Sequence, residues 1–203
     1  MYLHKLNNGN IMKQKSETRK EEIVRTAEML FKKKGYSAVT MRDIAQAMGI
    51  KAASLYNHIQ SKQQILSDII IQIGEQFTEG MYKIIAMEDA TSIKKLERVI
   101  ALHVQITMEN PSKMATMNND WMHLEEKIDY YLQLRRNYEE SFRQILKQGM
   151  EKGELKDINI EVILFSILST LRSLYLWIPK KEEIIKENLL GKLSQVLLTG
   201  VIL

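Results

Sequence analysis

Four histidines, His4, His58, His103 and His123, are the side chains of this 203-residue sequence best suited to metal chemistry, and their spacing is wrong for it. No two stand at i and i+4, and no HExxH is present. With no cysteine there is no thiolate ligand, disulfide or cysteine nucleophile. The paired acids Glu125-Glu126 and Glu139-Glu140 read as ordinary helix surfaces, and no GxGxxG, phosphate-binding loop or G-x-S-x-G occurs. Neither a metal, a cofactor nor an enzyme activity is expected. What the chain does carry is charge in one place. Residues 1–66 hold 12 Lys and Arg against five Asp and Glu, a net +7, and the remainder is −3. A basic third joined to an acidic remainder suits contact with a polyanion, and charge alone leaves nucleic acid and an anionic membrane surface equally open.

The elements that position these charges are helices. Two prolines and nine glycines, with almost no alternating apolar and polar stretches, predict an all-α chain. An apolar fraction of 45% is enough for a core. The longest uncharged runs, Val162–Leu171 and Leu193–Leu203, are half the ~20 residues of a membrane span, so a soluble protein with no membrane partner is expected. The lack of cysteine fits the cytoplasm. Residues 1–15 lack the apolar segment of a signal peptide and read as a flexible N-terminal extension, with Met12 an alternative start.

Three helix starts crowd the basic third, each a hydroxyl residue followed three positions later by an acid or amide: Thr18/Glu21, Thr40/Asp43 and Ser61/Gln64. From Thr18, the stripe Ile23, Ala27, Leu30 and Phe31 runs to a left-handed cap at Gly35. From Thr40, Met41, Ile44, Ala45 and Met48 run to Gly49. Leu55, Tyr56 and Ile59 make a third short stripe, and Ser61 begins a long helix through Ile65, Leu66, Ile69, Ile73, Phe77 and Met81. Short helices joined tightly at Gly49 outline a helix-turn-helix.

The stretch from Thr40 to Lys62, with Gly35-Tyr36 before it, Asp43-Ile44-Ala45, Gly49-Ile50, Leu55-Tyr56, His58 and Ser61-Lys62, closely resembles the DNA-binding domain of TetR-family transcriptional regulators. The resemblance covers about residues 16–66. Lys51 stands where the family often has Ser and Ile59 where it commonly has Phe, so the operator sequence does not carry over. The resemblance implies that Lys51, Ala52, Ala53, Ser54 and Asn57 face base edges in the major groove, Lys51 and Asn57 as donors and the alanines against thymine methyls. Tyr56 and His58 resemble the family's backbone-contacting pair. Lys62, with the amino end of the fourth helix, is expected to hold a phosphate, and Thr40 to cap its helix and offer an amide to phosphate. Lys13, Lys15 and Arg19 read either as a minor-groove arm or as a solvated tail. Ala45 and Gly49 are expected to be small for a close helix crossing, with Gly49 also able to take the positive φ that the turn requires, and Ile50 and Leu55 are expected to be core.

Beyond Glu88, helical stripes are expected over roughly 92–109, 112–124, 126–152, 159–178 and 181–201, making 67–203 a larger helical ligand-binding and dimerisation domain after the DNA-binding domain at 16–66. The middle helices are rich in Met and aromatic residues. There, His103, Met117, Trp121, Tyr138 and Phe142 are the candidate ligand-binding residues, with Gln105 and Asn118 as further polar anchors; plain core is the competing reading. The segment 135–154 with 160–177 looks like the ligand domain of TetR regulators that sense lipid-like or acyl-CoA effectors. The family resemblance implies a homodimer through a four-helix bundle of the last two helices, with Phe165, Ser169, Ser173, Leu193 and Leu197 at the interface. The expected function is a ligand-responsive regulator, a repressor that binds a palindromic double-stranded DNA operator and is released by a small apolar effector. The rival is a ligand-independent architectural or nucleoid DNA-binding dimer.

Overall fold

The computed structural model describes residues 17–180 and 188–203, and every described element but a few short turns is helical. The expected N-terminal extension with Lys13 and Lys15, and residues 181–187, lie outside the described residues. Helix α1 (Arg19–Lys34) starts from a complete capping box, in which Thr18 accepts from the Glu21 amide and Glu21 accepts from that of Thr18. Its buried face is Ile23, Ala27 and Phe31. Gly35 ends it with φ 80° and ψ 150°, an extended positive-φ conformation and not the left-handed cap expected. Helix α2 (Met41–Ala47) has the same box between Thr40 and Asp43. Gly49 then turns the chain at the expected positive φ, 66°, but with open space around it, so backbone conformation demands glycine there and close helix crossing does not. Helix α3 (Ala52–Tyr56) is held inward by Leu55 and, just beyond it, Ile59, both fully buried; Tyr56 faces outward, so the third stripe has two members and not three. Ile50 is only partly buried.

Helix α4 (Lys62–Ile85) buries an unbroken stripe from Ile65 to Ile84 and is the spine of the molecule, packing on α1 and on three helices of the C-terminal part. These are α5 (Ser92–Glu109), α6 (Pro111–Asp120) and α7 (Ile128–Glu151), followed by α8 (Ile160–Trp177) and α9 (Leu189–Thr199). A 3-10 turn, Trp121–His123, continues α6, and Pro111 opens that helix at its first position, where a missing amide hydrogen is harmless. Helix α6 reaches back to α1, so the basic unit and the C-terminal helices share a packed boundary. Helix α8 lies against α5, α6 and α7, and α9 against α5.

By length and composition alone, Ile160–Lys180 would pass for a membrane span. Uncharged runs hide this, because Arg172 splits the stretch and Glu161 and Lys180 bound it. In the fold, Ile163, Ile167, Leu171 and Leu174 of its inner face are buried in protein, and Arg172 is paired with Glu139.

Candidate DNA-contacting helix and effector cavity

Burial of Leu55 fixes the rotation of α3 and thereby decides what it shows to solvent. Lys51, Ala53, Ser54, Tyr56, Asn57 and His58 are exposed, and Ala52 is half-buried against the core. Lys51 occupies the N-cap position without a side-chain capping bond, so its ammonium extends free of the helix it begins. Arg42 and Gln46 on α2 are exposed as well, and the sequence reading gave them no role.

Two of the expected phosphate contacts have other partners. The Lys62 ammonium donates to the carbonyls of Tyr36 at 2.9 Å and Val39 at 2.8 Å, and lies 4.1 Å from the centre of the Tyr36 ring. It therefore ties the start of α4 to the turn between α1 and α2. The Thr40 amide donates to the Asp43 carboxylate at 2.7 Å, so the capping box has taken the group offered to phosphate. That bond and the one from the Thr40 hydroxyl hold the Asp43 carboxyl below its usual value.

Between α4, α5, α6, α7 and α8 lies a cavity of about 90 Å³. Its apolar wall is Phe77, Met114, Met117, Trp121, Tyr131 and Leu134. His103, Tyr138, Asn118, Arg135 and Arg172 bring polar groups to it. Four of the five candidate ligand residues, His103, Met117, Trp121 and Tyr138, thus converge. The fifth does not line the cavity: Phe142, at 0% exposure, lies one helical turn beyond Tyr138 and is sealed in the core. Gln105 points away and donates to Glu109. Asn118 lines the cavity, with its amide nitrogen bonded to the Met114 carbonyl.

His103 Nε2 is 2.8 Å from the Tyr138 hydroxyl, and Phe77 packs on both rings. Burial, aided by the Arg172 charge, lowers the His103 pKa to about 3, so the imidazole is neutral. Burial likewise raises that of Tyr138. At the cavity edge one oxygen of Glu139 accepts from Arg172 at 2.7 Å and from Arg135 at 3.1 Å. Burial pushes the Glu139 carboxyl up, but the two guanidiniums outweigh it and hold it down. Two arginines on one carboxylate leave a net positive charge beside an apolar space. Neither arginine was anticipated. A signal existed for Arg172, the lone charge in the apolar run 162–178, because such a charge must find a partner when the helix packs.

The far side of the cavity wall grips the basic unit. Lys113 on α6 bonds Gln72 at 2.6 Å and lies 3.7 Å from the buried Glu28 of α1. Asp120 accepts from the Tyr36 amide, His123 stacks on the Tyr36 ring, and Gln63 donates to the His123 carbonyl at 2.7 Å.

On the last helices, Phe165 (71% exposed), Ser169 and Ser173 form an outer face of α8 together with Val162 and Trp177. The hydroxyls of Ser166, Thr170 and Ser173 bond back to carbonyls four residues earlier, which leaves that face with few free polar groups. On α9 the residues expected at the interface are less open than a neighbour. Leu193 and Leu197 are half-buried against their own core, while Val196 is 75% exposed.

Residues 23–69 match the family description "Bacterial regulatory proteins, tetR family", and residues 89–201, more than half of the chain, match "Tetracyclin repressor-like, C-terminal domain". The transcriptional repressor KstR2 of Rhodococcus jostii is 29% identical over 71% of this chain and 72% of its own length. The nucleoid occlusion factor SlmA of Vibrio vulnificus is 29% identical over 66% of this chain and 69% of its own. A solved structure of the ketosteroid transcriptional regulator KstR2 of Mycobacterium tuberculosis shares the fold, with a TM-score of 0.86 at 18% identity over 93% of this chain and 97% of that one. The chain belongs to the TetR family of bacterial transcriptional regulators, which are DNA-binding proteins and not enzymes.

Proposed function

We propose that this regulator is a repressor that holds a palindromic operator as a homodimer and lets go when a small, mostly apolar effector enters the α4–α8 cavity. In this reading residues 16–66 are the DNA-binding domain, residues 67–203 bind effector and pair with a second copy, and the protein acts in the cytoplasm. Lys51 and Asn57 read bases, with Ala52, Ala53 and Ser54 close to the groove floor and Tyr56 and His58 on the backbone. Two copies of α3 related by a two-fold axis would meet successive major grooves about 34–36 Å apart.

The observation that carries the effector part is that α6 and its 3-10 turn do two things at once. Met114, Met117 and Trp121 line the cavity, while Lys113, Asp120 and His123 on the same segment hold α1, α4 and the α1–α2 turn. A ligand that displaces the wall must move the grip. At about 90 Å³ the cavity is smaller than the roughly 300–1,000 Å³ of ligand sites, so effector entry requires the methionines and Trp121 to shift, and Met adapts readily. The surplus charge of Arg135 and Arg172 suits one anionic group on an otherwise apolar body, such as a fatty acid. Footprinting on DNA upstream of the gene, followed by titration of decanoate and decanoyl-CoA into the complex, tests this. Release of a discrete palindromic footprint is expected; a footprint unmoved by either ligand sinks the effector reading.

A second reading, the ligand-independent nucleoid factor, is favoured by the resemblance to SlmA and by the small size of the cavity. Uniform binding to every DNA sequence, with no ligand effect, would select it.

A further inference from the structure

His103 has one ring nitrogen matched and the other not. Nε2 meets the Tyr138 hydroxyl at 2.8 Å, whereas Nδ1 is buried without a hydrogen-bond partner. Among the described residues, the other buried side-chain atoms in that condition belong to Gln63, Thr107 and Thr116, none of which lines the cavity, and to Asp68, also away from the cavity, whose oxygen is ion-paired with Lys20. Several other polar groups of the wall have a partner within the protein. Thr78 donates to the Gly74 carbonyl, Asn118 to that of Met114, and the arginines to Glu139.

A neutral imidazole carries one proton, and the position of that proton decides what His103 offers. If Nε2 holds it and donates to Tyr138, the Tyr138 hydroxyl hydrogen and the Nδ1 lone pair are both buried and unmet. If Tyr138 donates to Nε2, the proton lies on Nδ1, and Nδ1–H and a Tyr138 oxygen lone pair are unmet. The counts are equal, but the phenol hydroxyl is the stronger donor and the imidazole nitrogen the stronger acceptor, and an unused phenol lone pair costs less than an unused hydroxyl hydrogen, so the second arrangement is favoured. Tyr138 therefore works as a positioning residue, fixing the tautomer that leaves a donor on His103.

We propose that His103 Nδ1 is a polar subsite of the effector cavity, donating to one neutral acceptor oxygen, a ketone or ester carbonyl, set within the apolar part of the ligand. The inference rests on the effector reading above and adds a second recognition element to it. The anionic group suits the arginine pair, and the carbonyl suits a neutral donor that cannot offer a charge. A ligand lacking the oxygen leaves Nδ1–H unmet, which is how a buried donor discriminates between otherwise similar molecules.

Two measurements test this. Nitrogen-15 spectra of the ligand-free wild-type protein report the His103 tautomer directly; a protonated Nδ1 is expected, and a protonated Nε2 overturns the proposal. Binding of decanoic acid is then compared with that of 4-, 6- and 8-oxodecanoic acid, by Trp fluorescence and by operator release. At least one oxo acid should bind about tenfold more tightly than the parent. In His103→Phe the oxo-to-parent ratio should fall to about 1. In Tyr138→Phe, where the proton is free to move to Nε2, the same loss is expected although His103 is intact. If decanoic acid binds but no oxo acid gains, or the gain survives in both variants, the subsite is wrong while the effector reading stands. If no acid binds or releases the operator, the effector reading fails and takes the subsite with it.

Discussion

The backbone amide of Tyr36 donates to the Asp120 carboxylate at 3.4 Å, across 84 residues of sequence, and so joins the end of the cavity-lining helix to the turn that leads into α2. Burial pushes the Asp120 carboxyl up, and the Tyr36 amide works against that rise. Tyr36 also receives Lys62 on its carbonyl and His123 on its ring. Three elements therefore report to one residue, and Asp120, one of its partners, directly precedes the cavity-lining Trp121.

In the proposed reading, this arrangement would make α6, with its turn, the coupling element alongside α4. Asp120→Asn weakens the Tyr36 contact, and Lys113→Met removes the partner of Glu28 and Gln72. Each is expected to reduce the effector's influence on operator affinity, which for an intact coupling is of the order of 1–3 kcal/mol in both directions. Operator affinity with and without saturating decanoate measures it; variants coupled as strongly as wild type would put the transmission elsewhere.

Lys62 and Lys51 should part company on mutation. Lys62→Met leaves the Tyr36 and Val39 carbonyls without their donor, and because the site is only half-buried the expected loss of stability is about 1 kcal/mol. It should appear as a lower midpoint in urea without DNA present. Lys51→Ala removes an exposed side chain with no capping bond, so stability should hold while the ranking of operator variants changes. A Lys51→Ala protein that ranks operators as wild type does would remove Lys51 from base readout.

These differences mark where sequence reasoning reaches and where it stops. Helix starts and inner faces were legible because a capping box and a 3.6-residue stripe are local: Thr18/Glu21 and Thr40/Asp43 formed as spaced. Even the third start was half right, for Ser61 accepts from the Gln64 amide while the Gln64 side chain turns to Gln60. Partners distant in sequence were not legible. Nothing in the pattern says that Lys62 will reach Tyr36, or that Arg172 will share Glu139 with Arg135. A stripe also fixes a face but not how far along it an opening extends, which is why Phe142 was grouped with Tyr138 although the cavity ends before it.

The buried neutral His103 predicts acid sensitivity. Its pKa in the folded state, about 3, is below the ordinary 6.5, so as pH falls from about 6.5 toward 3 the unfolded chain takes up a proton that the folded one does not. Stability from this group is complete above pH 6.5 and drains away through that window, amounting to about 2 kcal/mol between pH 7 and 5. Urea unfolding at the two pH values, at fixed protein concentration, should show the loss in wild type and its reduction in His103→Phe. Equal losses in both proteins would mean that His103 is charged or solvated in the folded state.

Dimerisation offers the most direct trial of the outer faces. Phe165 on α8 and Val196 on α9 are large apolar side chains left open on helices that both pack on α5, and the hydroxyls of Ser166, Thr170 and Ser173 are satisfied within α8. A contact over these faces removes that apolar area from water and strands few polar groups, and two helices from each copy would make a four-helix bundle. Phe165→Asp or Val196→Asp would bury an unpaired carboxylate in such a contact, a penalty of several kcal/mol shared by two symmetry-related sites. Because both positions are exposed in the monomer, the fold itself should survive, which is not so for Leu193 or Leu197. Sedimentation is expected to show monomers with helical content intact, and operator affinity should fall with dimer content, since one α3 alone reads only a half-site. Variants that remain dimeric would locate the interface on another surface.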